Sequence, residues 1–142
     1  VIYSGTVSAA LEGAYMGIRS MAVSNSDRSF TDGYALAAKF IAENLDALTA
    51  VRMPDYTALN INYPACKHTG VSVVPVGKNR YSDMFAEVGE NMLKISGEPL
   101  GEETDNNTDV SQIARGHITV SPVTLDMNDY ALLARLKEEF PL

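Results

Sequence analysis

The chain has 142 residues, of which 46% are hydrophobic, so it is long enough for one packed domain or for the larger part of one. Its 11 basic and 18 acidic residues give a net charge of −7, which excludes a general electrostatic attraction to nucleic acid or to an anionic membrane. A single cysteine, Cys66, excludes an internal disulfide, and no apolar run approaches the roughly 18 residues of a membrane-spanning helix. We therefore expect a cytoplasmic protein that binds neither a nucleic acid polymer nor a membrane.

The opening residues predict a polar turn that leads into a helix. Ser4, Gly5 and Thr6 separate an apolar start from a helical repeat of small and apolar residues. Such a turn directs backbone N–H groups and two hydroxyls at one point, where the helix start adds about half a positive charge. This is the construction of an anion site, most often for phosphate, although serine and threonine are also common helix caps. Ser4, Gly5 and Thr6 are the candidate phosphate-binding residues.

Strands and helices alternate after this turn. We predict a buried strand over residues 19–24, an amphipathic helix capped by Thr31, and a strand over residues 59–63. The order of strand, helix and strand favours a layered α/β sheet with right-handed crossovers. A further strand over residues 71–76 contains Pro75, which suggests a position at the edge of the sheet.

The second half of the chain has a different character. Residues 83–109 are acidic, with Lys94 as their single basic residue, and their hydrophobic periodicity is poor. Because of this composition we predict an extended hairpin or a mobile arm there. The acidic residues do not have the spacing of an EF-hand calcium loop. A strand over residues 116–121, ending at a proline, and a last helix capped by Asp126 or Asn128 complete the chain.

Other residues could carry chemistry, and for each of them a structural role is the simpler interpretation. His68 and His117 lack metal-ligand spacing. His68 is interpreted as a solvated loop residue and His117 as a ring at the edge of the core, with a catalytic histidine as the alternative. Cys66 follows Pro64 in a turn, where it could be a thiol nucleophile or simply a passive cysteine. Lys78 and Arg80 follow a strand, where they could reach a phosphate or an acidic partner, or could simply be solvated.

Four stretches of the sequence, in a fixed order, point to one family. They are Tyr3-Ser4-Gly5-Thr6-Val7 leading into Ala9-Ala10-Leu11-Glu12-Gly13; Leu59-Asn60-Ile61-Asn62-Tyr63-Pro64; Gly77-Lys78-Asn79-Arg80-Tyr81-Ser82-Asp83; and Thr108-Asp109, followed six residues later by Gly116-His117-Ile118-Thr119-Val120-Ser121-Pro122. Together they resemble the SurE family of stationary-phase survival phosphatases, which act as 5′/3′-nucleotidases. The resemblance spans residues 1 to about 136. His117 departs from it, because the family usually has a tyrosine at this place.

The resemblance implies metal-assisted hydrolysis of a phosphomonoester, typically a nucleoside monophosphate, with Mg²⁺ or Mn²⁺ as the divalent ion. In the family a pair of aspartates, a serine and an asparagine hold this ion, and none of the four has a counterpart in these 142 residues. The catalytic residues are therefore unknown here, and no metal ligand is assigned. Ser4, Gly5 and Thr6 match the phosphate-binding turn. We expect the 142 residues alone to be inactive.

The resemblance also implies a Rossmann-like three-layer α/β sheet whose N-terminal strands would precede Val1. Residues 1–82 would form the C-terminal part of the phosphatase core. Residues 83–142 would form an acidic hairpin arm, a strand and a C-terminal helix, with arm and helix exchanged between the subunits of a homodimer or homotetramer. The alternative is a non-catalytic binding or assembly module that keeps the fold without the metal site.

Overall fold

The computed structural model describes residues 3–27, 29–78, 82, 84–96, 100 and 105–140. The described residues form four helices and six strands. In chain order these are α1 (Gly5–Tyr15), β1 (Met21–Asn25), α2 (Asp32–Ala50), β2 (Thr57–Tyr63), β3 (Gly70–Val73), β4 (Met84–Gly89), β5 (Met92–Ser96), α3 (Asp109–Ala114), β6 (His117–Thr124) and α4 (Tyr130–Glu139). Within the described ranges, no helix is both long enough and apolar enough to cross a membrane.

Four of the strands form one mixed sheet in the order β1–β2–β6–β3. β1 is parallel to β2, as the order of strand, helix and strand predicts, and β3 is parallel to β6. β2 and β6 are antiparallel, which the local order of elements does not predict. β6 follows the acidic segment in the chain but lies inside the sheet, between β2 and β3. The division of the chain at residue 82 stays a prediction.

One face of the sheet is covered by α1 through small side chains. The contact consists of Val7, Ala10 and Ala14 of the helix with Ala22, Ala58 and Val123 of the sheet. Small residues on both sides let the helix approach the strands closely, as the composition of α1 predicts. The helix ends at Tyr15, and Gly17 then takes a φ of +76°, a left-handed conformation that glycine adopts readily.

The opposite face is covered by α2. Its buried cluster consists of Ala37 of the helix with Leu59, Ile61 and Tyr63 of β2 and Ile118 and Val120 of β6. The predicted strand over residues 59–63 is confirmed, and its side chains alternate: odd-numbered residues of β2 face α2 and even-numbered ones face α1. The predicted cap Thr31 precedes α2 but makes no side-chain cap hydrogen bond, because its φ of −61° and ψ of −36° are already helical.

The arm contains a hairpin that is separate from the main sheet. β4 and β5 pair in antiparallel fashion, with an irregularity between Glu87 and Gly89, and this confirms the predicted extended hairpin. The side chains of Phe85, Met92 and Leu93 are each more than 60% exposed. The described part of the hairpin thus presents apolar side chains to solvent.

The last helix, α4, begins later than predicted, one residue after Asn128 and three after Asp126 as cap. Its N-cap is Asp129, whose carboxylate accepts a hydrogen bond from the Leu132 N–H at 2.9 Å. The proposed caps Asp126 and Asn128 are wrong, because Asp126 instead accepts hydrogen bonds from the Tyr130 hydroxyl at 2.6 Å and from Asn128. These bonds hold the pKa of the Asp126 carboxyl below its usual value. No residue of α4 is buried.

The close approach of α1 to the sheet can be tested at Ala58, which is fully buried. We expect Ala58→Leu to lower the free energy of unfolding by about 1–3 kcal/mol, because the added carbons have no space between helix and sheet. Urea denaturation measures the change. The matched control is Ala42→Leu on the exposed side of α2, where we expect a change within about 0.5 kcal/mol. Equal effects of the two substitutions would contradict the close contact.

Candidate functional site

The first turn of α1 is capped by Ser4. Its φ of −86° and ψ of 111° are extended, and its hydroxyl oxygen accepts a hydrogen bond from the Val7 N–H at 3.3 Å. The carbonyl oxygen of Ser4 accepts the Ser8 N–H at 2.9 Å. Ser4 therefore acts as the helix cap that the sequence left as one of two interpretations, and its hydroxyl proton remains free to be donated to a ligand.

The next two residues leave their backbone donors open. Among the described residues, the N–H groups of Gly5 and Thr6 have no hydrogen-bond acceptor, and both residues are exposed. A Cβ atom placed on Gly5 would meet nothing within 4 Å. Two open amides therefore lie at the positive end of an eleven-residue helix, as an anion site requires.

The start of α1 lies toward the carboxyl ends of β1 and β2. The end of the helix is fixed at the opposite edge, where Ile18 donates its N–H to the Gly13 carbonyl and Ser20 accepts the N–H of Leu59. From there the helix runs back along the sheet, with Ala14, Ala10 and Val7 in succession buried on it. Eleven residues of helix and five residues of strand have similar lengths, each about 16 Å, so α1 begins near the far ends of these strands.

A polar row crosses the sheet at these strand ends. Ser24 of β1 is the register partner of Asn62 of β2, and Asn62 is the partner of Thr119 of β6. All three lie on the α1 face, because they alternate in step with Ala22 and Ala58, which contact the helix. Thr119 is fully buried, and the Asn62 amide reaches its hydroxyl at 3.5 Å.

A second polar pair lies one step deeper on the same face. Asn60 of β2 is the register partner of Ser121 of β6, and these residues are only 3% and 0% exposed. The Asn60 Oδ1 and Ser121 Oγ atoms have no hydrogen-bond partner within the described ranges. We use the name polar floor for the set formed by Ser24, Asn60, Asn62, Thr119 and Ser121. Sequence reasoning missed this set, although the alternation of asparagine with apolar residues in β2 was a visible signal.

Thr108 and Asp109 fix the short helix α3 beside this face. Thr108 is the N-cap and forms a capping box with Ser111. The buried Asp109 carboxylate accepts the Gly77 N–H at 2.7 Å and the Val110 N–H at 2.8 Å. These contacts tie the segment after β3 to α3, so the Thr108-Asp109 motif has a structural role here.

The two histidines have protein partners within the described residues. His68 is half-buried, not solvated as expected, because its Nδ1 atom lies 2.9 Å from the Tyr63 hydroxyl. His117 pairs through Nδ1 with the Ser72 hydroxyl at 2.8 Å, and Ser72 also donates to Gln112 of α3 at 3.2 Å. These contacts give both histidines a place in the packing of the sheet.

The remaining candidates are Cys66, Lys78 and Arg80. Cys66 is exposed, with a free thiol. Lys78 follows β3, which runs antiparallel to β2, and so the chain leaves the sheet there at the edge opposite to the start of α1. Arg80 lies outside the described residues.

The described side chains do not form a site for a hard divalent ion. In the part of the chain that the structure describes, no three His, Cys, Asp or Glu side chains come together as metal ligands. Mg²⁺ and Mn²⁺ prefer oxygen donors that include carboxylates, whereas the polar floor contains only hydroxyls and amides. This donor set does not fit such an ion, and no chemical step is assigned to one here.

The profile of the family described as Survival protein SurE matches residues 1–83, which is more than half of the chain. The chain belongs to the SurE family. It is 38% identical over 97% of its length to a 5′-nucleotidase SurE of Pelotomaculum thermopropionicum, of which it covers 54%. It is 34% identical over 98% of its length to a 5′-nucleotidase SurE of Kosmotoga olearia, of which it covers 57%.

A solved structure supports the membership at the level of the fold. The SurE protein of Aquifex aeolicus matches 96% of this chain with a TM-score of 0.71 and 28% sequence identity, and the match covers 58% of that protein. The chain therefore spans a little over half the length of the SurE proteins that it matches. The SurE resemblance drawn from the four sequence stretches is confirmed.

Proposed function

We propose that this chain is part of a phosphomonoesterase that hydrolyses nucleoside monophosphates, a 5′/3′-nucleotidase, and that Ser4, Gly5 and Thr6 bind the phosphoryl group. The relatives named 5′-nucleotidase SurE support the reaction class. The observation that carries the site is the pair of open N–H groups at Gly5 and Thr6, beside the Ser4 cap.

The chemistry of this turn suits a phosphate ester. Two backbone N–H groups and the hydroxyls of Ser4 and Thr6 can donate to the phosphoryl oxygens, and charge-assisted bonds of this kind are stronger than neutral ones. The helix dipole adds a favourable local potential. A local site of this kind is needed because the net charge of −7 repels anions in general.

We propose further that the intact protein requires Mg²⁺ or Mn²⁺, whose ligands lie outside these 142 residues. Support comes from the family resemblance and from the chain's coverage of little more than half of its relatives. When bound, such an ion would polarise the phosphoryl group and lower the pKa of a water molecule. A cytoplasmic location, supported by the free thiol of Cys66, completes the proposal.

Gly5 offers a sharp test of the phosphate site, because it is the first residue of α1. Proline is favoured at this position, and the extended Ser4 before it is compatible with proline, so Gly5→Pro removes one N–H donor while keeping the helix. We expect the affinity for inorganic phosphate and for a nucleoside monophosphate to fall about 10- to 100-fold. Competitive inhibition and KM, in the protein at the length that its gene encodes, measure the change.

The matched control for that test is Gly5→Ala. It keeps the N–H group, and the added Cβ meets nothing within 4 Å. We expect phosphate affinity like that of the parent protein. If Gly5→Pro and Gly5→Ala bind phosphate equally well, the Gly5 amide is not part of the site.

The 142-residue chain by itself should not hydrolyse nucleoside monophosphates at a useful rate in the presence of Mn²⁺ or Mg²⁺. The reason is that the described residues bring no carboxylate metal site together. Release of inorganic phosphate from the purified chain is the measurement, and clear Mn²⁺-dependent turnover would refute this prediction. If the gene-length protein is also inactive with either ion, the alternative of a non-catalytic binding or assembly module is favoured.

We propose that residues 83–142 mediate a homodimer or homotetramer in which arm and C-terminal helix are exchanged. The support is exposed apolar area on α4 and on the hairpin, since large unpartnered apolar surfaces usually mark interfaces. The large apolar side chains of α4 and its C-cap are Tyr130, Leu132, Leu133, Leu136 and Phe140, of which each is at least 42% exposed.

The role of α4 can be tested by changing its apolar side. We expect the double variant Leu133→Lys and Leu136→Lys to lower the molar mass by light scattering toward that of a single chain. Two desolvated lysines would be costly in an apolar contact. The control is Glu138→Lys, which adds positive charge to the exposed α4 outside the apolar set and should keep the parent's mass. An unchanged mass in the double variant would remove α4 from the interface.

A further inference from the structure

Two buried polar atoms on the α1 face of the sheet are not explained by the packing of the fold. Asn60 Oδ1 and Ser121 Oγ belong to directly paired residues of β2 and β6, and neither atom has a hydrogen-bond partner among the described residues. Both residues are more than nine-tenths buried. Native structures rarely retain such atoms without a reason, which is often a bound water molecule or a functional requirement.

The neighbouring pair shows that this face does not need polar residues for its packing. Ala58 and Val123 are also register partners on the same face, and they pack against α1 with apolar side chains. The change from apolar to polar begins at Asn60 and Ser121 and continues toward the strand end, where Asn62 lies. Polarity therefore increases in the direction in which α1 begins.

We propose that Asn60 and Ser121 are positioning residues of the phosphate site. They would hold a water molecule on the α1 face of the sheet. This water would link them to Asn62 and Thr119, the members of the polar floor that lie nearer the end of β2. A buried water typically makes about three hydrogen bonds, which the Asn60 oxygen, the Ser121 hydroxyl and the hydroxyl of Thr119 can supply. The inference rests on the proposed function of the first turn of α1.

This arrangement suits an anion because it adds donors without adding charge. Hydroxyl and amide groups can turn a donor toward a phosphoryl oxygen, whereas a carboxylate at the same place would repel it. A preorganised polar surface under the helix start would also lose little free energy by reorganising when the phosphate binds. Asn62 is only half-buried and is the residue through which the buried pair would act.

The deciding experiment is Ser121→Ala in the protein at the length that its gene encodes, with inorganic phosphate as the probe. A purely structural role predicts an equal or higher melting temperature and unchanged phosphate affinity, since the change removes a buried hydroxyl that lacks a partner. We expect instead that phosphate affinity falls roughly three- to tenfold, which a purely structural role does not predict. Calorimetric titration and thermal unfolding provide the two readouts.

The matched control is Ser72→Ala. It makes the same chemical change on the same face of the sheet, but the Ser72 hydroxyl is already hydrogen-bonded to Gln112 and His117. We expect a lower melting temperature and the parent's phosphate affinity. The control thus separates loss of stability from loss of binding.

The outcomes distinguish this inference from the proposed function. If the parent binds phosphate, Gly5→Pro weakens binding and Ser121→Ala does not, the inference is wrong and the phosphate site stands. If Ser121→Ala and Ser72→Ala weaken binding equally, the effect is general and the inference is also wrong. If neither the parent nor Gly5→Ala binds phosphate, the proposed site and the inference fall together.

Discussion

The antiparallel pairing of β2 with β6 is the constraint on which the rest of the structure depends. It joins segments about sixty residues apart in the sequence, from Thr57–Asn62 to Thr119–Thr124. Because side chains alternate between faces, a slip by one residue would move Leu59 and Ile61 to the α1 face and Asn60 into the cluster under α2. The apolar cluster under α2 therefore fixes the register, and the same register places the polar floor on the other face.

Features with a local cause could be predicted from the sequence, whereas this pairing could not. The strand over residues 59–63 depends on neighbouring residues and was predicted. The predicted end of the strand at Pro122 was wrong for a three-dimensional reason. The register partner of Pro122 is Leu59, whose N–H is donated to the Ser20 carbonyl on the β1 side. Leu59 and Pro122 therefore exchange no hydrogen bond, and the missing N–H of Pro122 breaks none. β3 pairs with β6 only as far as Val120.

The residues of the candidate site also divide into those that could be predicted from local sequence and those that could not. Ser4, Gly5 and Thr6 are contiguous, so their grouping and their position at a helix start could be predicted from sequence alone. Asn60 and Ser121 come from segments that meet only through the pairing of β2 with β6. In an isolated strand the asparagines look like residues of a solvated face. In this sheet, helices cover both faces, and the same residues become buried polar groups, each costing about 1–3 kcal/mol without a partner.

The small residues of α1 connect the fold to the site. Ala10 and Ala14 allow the helix to lie close to Ala22 and Ala58, and this contact sets the height of the first turn above the sheet. A larger side chain at Ala58 would lift the helix and also move the open amides of Gly5 and Thr6 away from the polar rows. Packing and the proposed phosphate binding would therefore constrain the same alanines. A substitution there should weaken both properties together, whereas one at Ser121 should separate them.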